Sequence, residues 1–222
     1  MCGRFAQRRP AAELAELFGA EPLAEEPGER ANVAPTDDAL VVVQRDDRRA
    51  LVGFRWGLIP HWAGSARIAA RTFNARVETV ATAPAFRESF RRRRCLVPVD
   101  AFYEWQRTAG RSMPIAIRRA DGDVLALAGL WAGWRDPETG LVRRTFTIVT
   151  TAADDRLADL HDRMPVIVPP ESWATWLDPA PADPADLRRL LMAGDPVPLM
   201  RVAVDRSVVG RPKPEAPVLP LG

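Results

Sequence analysis

Val124-Leu125-Ala126-Leu127-Ala128-Gly129-Leu130-Trp131-Ala132-Gly133-Trp134 runs eleven residues without a charge or a hydroxyl. An unbroken apolar run of this kind reads as a strand buried on both faces. Thr145-Phe146-Thr147-Ile148-Val149-Thr150-Thr151 follows, rich in β-branched residues, and reads as a second buried strand. Working outward, Cys95 to Val99, Phe102 to Gln106 and Pro114 to Arg118 are strand-like. So are Ala39 to Val43 and Ala50 to Trp56, on either side of a turn at Asp46-Asp47. Val166 to Val168 and Leu199 to Val204 are the last strands. Helices are expected at Pro10 to Phe18, Ala152 to Leu160, Glu171 to Trp176 and Ala185 to Met192, and a helical turn at Pro84 to Phe90. The first has Pro10 in its first turn, Leu14, Leu17 and Phe18 on one face, and Gly19 ending it. Asp183-Pro184 leads the last. Residues 20–38 read as a surface loop, Arg67 to Thr79 as irregular, and the proline-rich tail from Gly210 as extended. The strands are too many and too unevenly spaced for a doubly wound sheet. The fold predicted is a single α+β domain over residues 1–222, with a mainly antiparallel, barrel-like sheet and flanking helices.

Composition narrows the function. The chain has 222 residues and is 47% apolar, enough for a real core. No stretch has the apolar length of a membrane span, and the start turns polar too quickly for a secretory signal. The two cysteines, Cys2 and Cys95, match neither a disulfide framework nor a metal-ligand spacing. A cytoplasmic monomer with free thiols, no metal and no cofactor is expected. A net charge of +2 does not by itself announce a nucleic-acid binder. Of 31 basic residues only Lys213 is a lysine, a bias that a GC-rich genome also produces. Arginine binds phosphate in a bidentate fork but cannot act as a Schiff-base amine. Any amine chemistry therefore falls to the amino terminus or to Lys213.

The start itself carries chemistry. Met1 precedes Cys2-Gly3-Arg4-Phe5, and removal of Met1 ahead of so small a residue is expected. Cys2 would then hold a free thiol and a free α-amine, a pair that closes a thiazolidine ring on an aldehyde carbon. An α-amine with a reference pKa of about 8 is partly unprotonated at neutral pH. Cys2 as an ordinary residue in a frayed terminus is the other reading. Elsewhere there is no HExxH, P-loop, GxGxxG or GxSxG. What remains is a set of polar-studded islands: Trp56 to Trp62, Phe73 to Thr79, Cys95 to Trp105, and Thr150-Thr151 followed by Leu160 to Ile167. Taken singly, Asn74 reads as a turn residue, Glu104 as the exposed side of an edge strand, and His161 as a cation at a helix end.

These islands, with the Cys2 start and Asn32-Val33-Ala34-Pro35, resemble the SRAP (SOS-response-associated peptidase) family in order from residue 2 to about residue 206. The resemblance implies a SRAP-like fold and a protein that shields abasic sites in single-stranded DNA. Its amino-terminal cysteine would join the ring-opened sugar in a covalent thiazolidine crosslink. It implies a catalytic set of Cys2, Asn74, Glu104 and His161. Glu104 would activate the cysteine and shuttle protons, His161 would protonate the sugar oxygen, and Asn74 would orient the sugar or the α-amine. Arg4, Arg76 and Arg163 are implied phosphate contacts. Pro35 and Thr150 would line the backbone groove, and Trp62 would stack on a base. Trp56, Trp105, Trp131, Trp134, Trp173 and Trp176 are expected to pack in the interior, and Arg91 to Arg94 to form a solvated face. An N-terminal-nucleophile cysteine peptidase acting on its own leader, and a non-covalent reader of single-stranded or modified DNA, are the alternatives. Association with the nucleoid is expected when DNA is bound. Two positions depart from the family: Ala101, where many members have glycine, and Ala63, where some have an aromatic residue.

Overall fold

The computed structural model describes residues 2–23, 30–108, 110–193 and 197–210. Among these, the chain opens with β1 (Phe5–Gln7), α1 (Ala11–Phe18), β2 (Ala20–Pro22) and β3 (Arg30–Val33). A hairpin follows, β4 (Asp38–Arg45) and β5 (Arg48–Trp56), then a 3-10 stretch at Ala66–Arg71 and the short β6 (Asn74–Arg76). Next, α2 (Arg87–Arg92) leads into β7 (Arg94–Val99), β8 (Ala101–Thr108), β9 (Arg111–Arg119), β10 (Leu125–Arg135) and β11 (Val142–Ala152). Last come β12 (Arg163–Pro165), α3 (Trp173–Leu177), α4 (Pro184–Met192), β13 (Leu199–Ala203) and α5 (Arg206–Val209). None of these helices is long and apolar enough to cross a membrane.

The apolar run at 124–134 is β10, and it helps close a barrel. β4 pairs antiparallel with β5 and β7, β7 with β10, and β10 with β11. β11 then returns to β5 in parallel, with Thr145 opposite Arg55 and Phe146 opposite Trp56. The ring is thus five strands with one parallel seam. β2 extends it beyond β5, while β6 and β12 add to β11. The second sheet is antiparallel, in the order β13-β9-β8-β1-β3.

Strand alternation sorts the side chains into two layers. Val41, Val43, Val52, Phe54, Val97, Leu127 and Ile148 fill the barrel, joined by Phe5, Phe102 and Ile117 from the second sheet. Leu40, Val42, Leu51, Leu96 and Ala128 face outward. They lie under Leu14 and Phe18 of α1, Phe90 of α2, Trp176 of α3 and Leu187 of α4. Being apolar on both faces is what makes β10 read as one unbroken apolar run. Its Gly129 is dictated by space: a Cβ there would lie 2.6 Å from Cys95 Sγ and 3.0 Å from Val97 Cγ2. Gly19 ends α1 in the left-handed region at φ 57°, its N–H returning to the carbonyls of Ala15 and Glu16.

Several expectations need correction. Residues 20–38 hold β2 and β3, two edge strands too short and too exposed to show an apolar period. Arg67 to Thr79 is not wholly irregular, since β6 lies within it. Ala152 to Leu160 is not a helix. β11 runs to Ala152, and Asp154 then accepts from the N–H groups of Arg156, Leu157 and Ala158, turning the chain instead of propagating it. Met1, Lys213 and the tail beyond Gly210 lie outside the described residues.

Arg94 overturns the reading of residues 91–94 as a solvated face. Arg91 and Arg92 are exposed, but Arg94 is buried. Its guanidinium donates to the carbonyls of Trp176 at 2.7 Å, Phe90 at 3.0 Å and Arg91 at 2.6 Å, and also to those of Asp178 and Ala180. One side chain thus satisfies carbonyls at the ends of both α2 and α3. Each stranded buried carbonyl costs about 1–3 kcal/mol, so Arg94→Ala is expected to destabilise the fold by about 3 kcal/mol or more. Arg94→Lys should recover little, because an ammonium cannot span that arc of acceptors. A fall in the urea midpoint at unchanged slope checks both.

Candidate functional site at the amino terminus

The terminus is not frayed. β1 lies antiparallel on β8, with Phe5 opposite Phe102 and Ala6 opposite Ala101, and Tyr103 N–H donates to the Arg4 carbonyl at 2.9 Å. The residues ahead of β1 therefore run along β8 toward Glu104. Phe5 packs on Trp56 with ring centroids 5.0 Å apart, and Trp56 in turn contacts Phe73 and Phe146. Cys2 sits on this aromatic floor, 0% exposed. Its thiol is 3.9 Å from the Arg4 carbonyl, a weak contact.

Asn74 heads β6, whose parallel pairing places it beside Ile148 of β11. Its Nδ2 donates to the Cys2 carbonyl at 2.8 Å. Its Oδ1 is buried and accepts no hydrogen bond, which marks a position where a donor is wanted. Asn74 is therefore a strand residue bound to Cys2 across 72 positions, not a free turn residue.

Glu104 lies in the middle of β8, opposite Ile115 of β9, and is 6% exposed. β8 is an interior strand flanked by β9 and β1, so the edge-strand reading of Glu104 fails. Burial lifts its carboxyl above the usual value. The positive charges of the amino terminus and of His161 oppose that lift, and Asp162 adds to it. Burial, then the Glu104 charge, pushes the Cys2 thiol well above its ordinary value, so it is a thiol at neutral pH.

His161 follows the turns after β11 and precedes β12, with its N–H on the Leu157 carbonyl at 3.1 Å. Its Nδ1 lies 3.0 Å from the Arg163 N–H and 2.6 Å from Asp162 Oδ1. These contacts ask opposite things of Nδ1. The N–H needs its lone pair, and the carboxylate needs a proton there. A ring with Nδ1 bare satisfies the first, and a ring with a proton on Nδ1 the second. Cys2, Asn74, Glu104 and His161 are thus linked in sequence by one hydrogen bond and by mutual electrostatic influence.

The expected DNA contacts separate. Arg76 is exposed at the end of β6, and Trp62 is 54% exposed in the loop after β5. That loop is fixed by Trp134 Nε1, which donates to the Ala63 carbonyl at 2.6 Å. Pro35 stands in a turn whose next residue, Thr36, has φ 80°, a strained value for a β-branched side chain. The turn is held by Asp37 N–H to the Ala34 carbonyl at 3.0 Å and by Thr36 N–H to the Trp56 carbonyl at 2.8 Å. Arg4 is half-buried, with Nη1 on Asn32 Oδ1 at 3.0 Å and on the Val209 carbonyl at 3.2 Å. Thr150 does not line a groove: it is 0% exposed. Its hydroxyl lies 3.4 Å from the Ala75 carbonyl, deep between strands. Arg163 is held by Glu78, 2.7 Å from Nη1 and 2.9 Å from Nη2. A phosphate would have to displace that carboxylate. Ala101 lies on a regular strand outside the positive-φ residues, so alanine there imposes no strain. Trp56, Trp134 and Trp176 are buried, whereas Trp105, Trp131 and Trp173 are half-buried. Among the described residues no group of three or more His, Cys, Asp or Glu could hold a metal ion.

Comparison with known proteins identifies the family and the fold. The sequence matches the SOS response associated peptidase (SRAP) family over residues 1–210. It is 37% identical over 223 residues to the abasic site processing protein YoqW of Bacillus subtilis, covering 99% of this chain and 98% of that one. It is 35% identical over 182 residues to the abasic site processing protein YedK of Escherichia coli, covering 80% and 79%. A crystal structure of a protein from Bacteroides thetaiotaomicron superposes with a TM-score of 0.80 at 25% identity, covering 96% of this chain and all of that one.

Proposed function

Because this chain belongs to the SRAP family, we propose that it processes abasic sites in DNA, and that it does so by linking Cys2 covalently to the lesion. The observation that carries this reading is the Asn74–Cys2 hydrogen bond at 2.8 Å, beside the buried Glu104. It joins the Asn74 amide to Cys2, whose thiol also feels the charge of Glu104, although the three come from β6, the segment before β1 and β8.

The reaction requires Met1 to leave, since the Cys2 nitrogen is otherwise an amide. An abasic sugar is mostly a closed hemiacetal. His161 gives a proton to the ring oxygen as the C1′–O4′ bond breaks, and the C1′ hydroxyl gives its proton to Glu104 as C1′ becomes an aldehyde. The Cys2 α-amine adds to C1′, and Glu104 returns a proton to the departing hydroxyl, so water leaves and an imine remains. The Cys2 sulfur then forms the second bond to C1′. Its attack on the protonated imine turns the C=N π pair into the nitrogen lone pair, the thiol proton passes to His161 and restores the one given to the ring oxygen, and the ring closes as a neutral thiazolidine. Closure removes the protonated imine that would otherwise promote β-elimination and strand cleavage. Asn74 fixes Cys2 through its carbonyl, and its unpartnered Oδ1 accepts from the α-amine or a sugar hydroxyl. Holding the aldehyde against a fixed aminothiol supplies a large effective molarity.

Incubation with abasic and intact single strands, followed by a denaturing gel, tests the reading. A shifted band with the abasic strand alone supports it. Binding without a denaturation-resistant band would leave a plain reader of DNA, and turnover of a peptide would favour a peptidase.

We propose further that encounter with single strands is electrostatic, through Arg76 and Arg4, with Trp62 as the stacking surface. Arg76→Ala should weaken binding to abasic and intact strands alike, and flatten the dependence of log K on log salt by about 0.7–1. Trp62→Ala should cost about 1–3 kcal/mol at an unchanged slope, because stacking releases no counterions. Titrations of intact strands at several salt concentrations decide both, and an unchanged slope in Arg76→Ala would remove it from the DNA surface.

A further inference from the structure

We infer that Asn32 is a positioning residue for Arg4, clamping it to the end of α5 so that the side-on fork of its guanidinium is left for a DNA phosphate. The inference rests on the reading above that Arg4 meets the strand, and adds how Arg4 is held and which of its N–H groups bind. Phe5 of β1 lies opposite Val33 of β3, and both pack into the barrel. Their neighbours Arg4 and Asn32 therefore emerge on the other face of this sheet. On that face sits α5. Val209 packs with Ala6 and Tyr103, Arg206 donates to the Ser112 carbonyl of β9, and Asp205 caps the helix by accepting from Ser207 N–H at 2.8 Å. Arg4 Nη1 donates to Asn32 Oδ1 at 3.0 Å and to the Val209 carbonyl at 3.2 Å, across 28 and 205 positions of sequence. Asn32 Nδ2 donates in turn to the Gly210 carbonyl at 3.1 Å.

The Asn32 amide fits only one way round. Its oxygen meets a cation and its nitrogen a carbonyl, and a flip would set donor against donor and acceptor against acceptor. Arg4 and Asn32 together satisfy the carbonyls of Val209 and Gly210 at the open end of α5. Both hydrogens of Arg4 Nη1 are spent in this clamp. Among the described residues, Nε and Nη2 of Arg4 donate to no acceptor. These two form the side-on edge of the guanidinium, whose parallel N–H groups match the two unesterified oxygens of a phosphodiester. The partners of Nη1 are neutral, so the guanidinium keeps its charge for that anion. Arg4, Arg30, Asn32, Ala34 and Gly210 line a cavity of about 610 Å³, room enough for a phosphate group. Asp37 also lines it, with its carboxylate engaged by Ala34 N–H at 2.9 Å. Without Asn32 the long Arg4 side chain would lose one of its two anchors, and ordering it would be charged against binding.

Titration of intact single strands at several salt concentrations tests the inference in the full chain, with the parent, Asn32→Ala, Arg4→Ala and the double variant. Arg4→Ala should flatten the slope of log K against log salt by about 0.7, the share of one phosphate on a single strand. Asn32→Ala should weaken binding by about 3- to 10-fold while the Arg4 side chain is present, and by less than about twofold once Arg4 is alanine. Asn32→Ser, whose hydroxyl is too short to reach both partners, should behave as Asn32→Ala does, and urea midpoints show that each variant is folded. Equal losses with and without the Arg4 side chain would overturn the inference, since Asn32 would then act on the fold alone. An unchanged slope in Arg4→Ala would overturn it too, because Arg4 would hold no phosphate. Adduct formation on an abasic strand is scored separately. If the parent forms no adduct while the two substitutions remain coupled, the clamp stands and the covalent reading falls.

Discussion

Replacing Cys2 by alanine is expected to abolish the denaturation-resistant adduct completely, while affinity for intact single strands stays within a few-fold of the parent. Both bonds to C1′ are asked of this one residue, nitrogen first and sulfur second. Alanine keeps the α-amine, so an imine can still form, but it lacks the atom that closes the ring. The imine hydrolyses, or loses its 3′ phosphate by β-elimination, and nothing survives denaturation except after reduction by borohydride. Cys2→Ser should give at best a weaker product, because an oxazolidine reopens readily. Folding should survive either change. Cys2 loses a single buried atom, at a cost of about 1 kcal/mol, and with it only the weak 3.9 Å thiol contact to the Arg4 carbonyl, while the hydrogen bond from Asn74 Nδ2 to its backbone carbonyl stays. A variant with an unremovable residue ahead of Cys2 separates thiol from amine. It retains the sulfur but presents an amide nitrogen, and it should fail as fully as Cys2→Ala. An undiminished adduct from that blocked form would shift the chemistry to Lys213 or to the thiol alone.

How much of this was legible in the sequence follows from how each residue is held. β10 and β11 could be read directly, because both faces of a barrel strand are buried and apolarity records burial. β2, β3 and β6 could not. Each is three or four residues long and sits at or beyond the barrel's edge, where pairing is through the backbone and leaves no pattern in the side chains. The turns after β11 imitate a helix in composition, since alanine, leucine and arginine favour both. The carboxylate of Asp154 decides the outcome locally. Cys2, Asn74, Glu104 and His161 were identifiable only through the order of the islands around them. Taken singly, Glu104 resembles any exposed strand acid, and only the placing of β8 between β1 and β9 shows it buried. Thr150 and Arg163 were identified as residues near the site but not in their placement. The sequence carries no mark that Arg163 turns inward to Glu78, because an ion pair spanning 85 positions has no period or spacing to betray it.

Glu104→Gln is expected to slow adduct formation by about 10²- to 10⁴-fold, the usual contribution of a positioned acid–base group, and at the same time to stabilise the fold at neutral pH. The two effects have one cause. The carboxyl sits 6% exposed, and burial raises its pKa in the folded state above the unfolded value of about 4.3. The native state therefore holds this proton more tightly than the unfolded chain does. Its contribution to stability is fully present below the unfolded pKa and is lost as pH rises through the folded one. Above that window the protein carries a desolvated anion that the charges of the amino terminus and His161 offset only in part, since the net shift is upward. Glutamine fills the same volume without the charge. The stability of Glu104→Gln should accordingly fall less than the parent's as pH is raised from about 4, and exceed the parent's at pH 7. Urea midpoints across this range, read beside adduct rates on an abasic strand, supply both halves. A variant that is slow but no more stable at neutral pH would mean that the carboxylate is well compensated where it lies. One that is more stable yet equally fast would take Glu104 out of the proton transfers and leave them to His161.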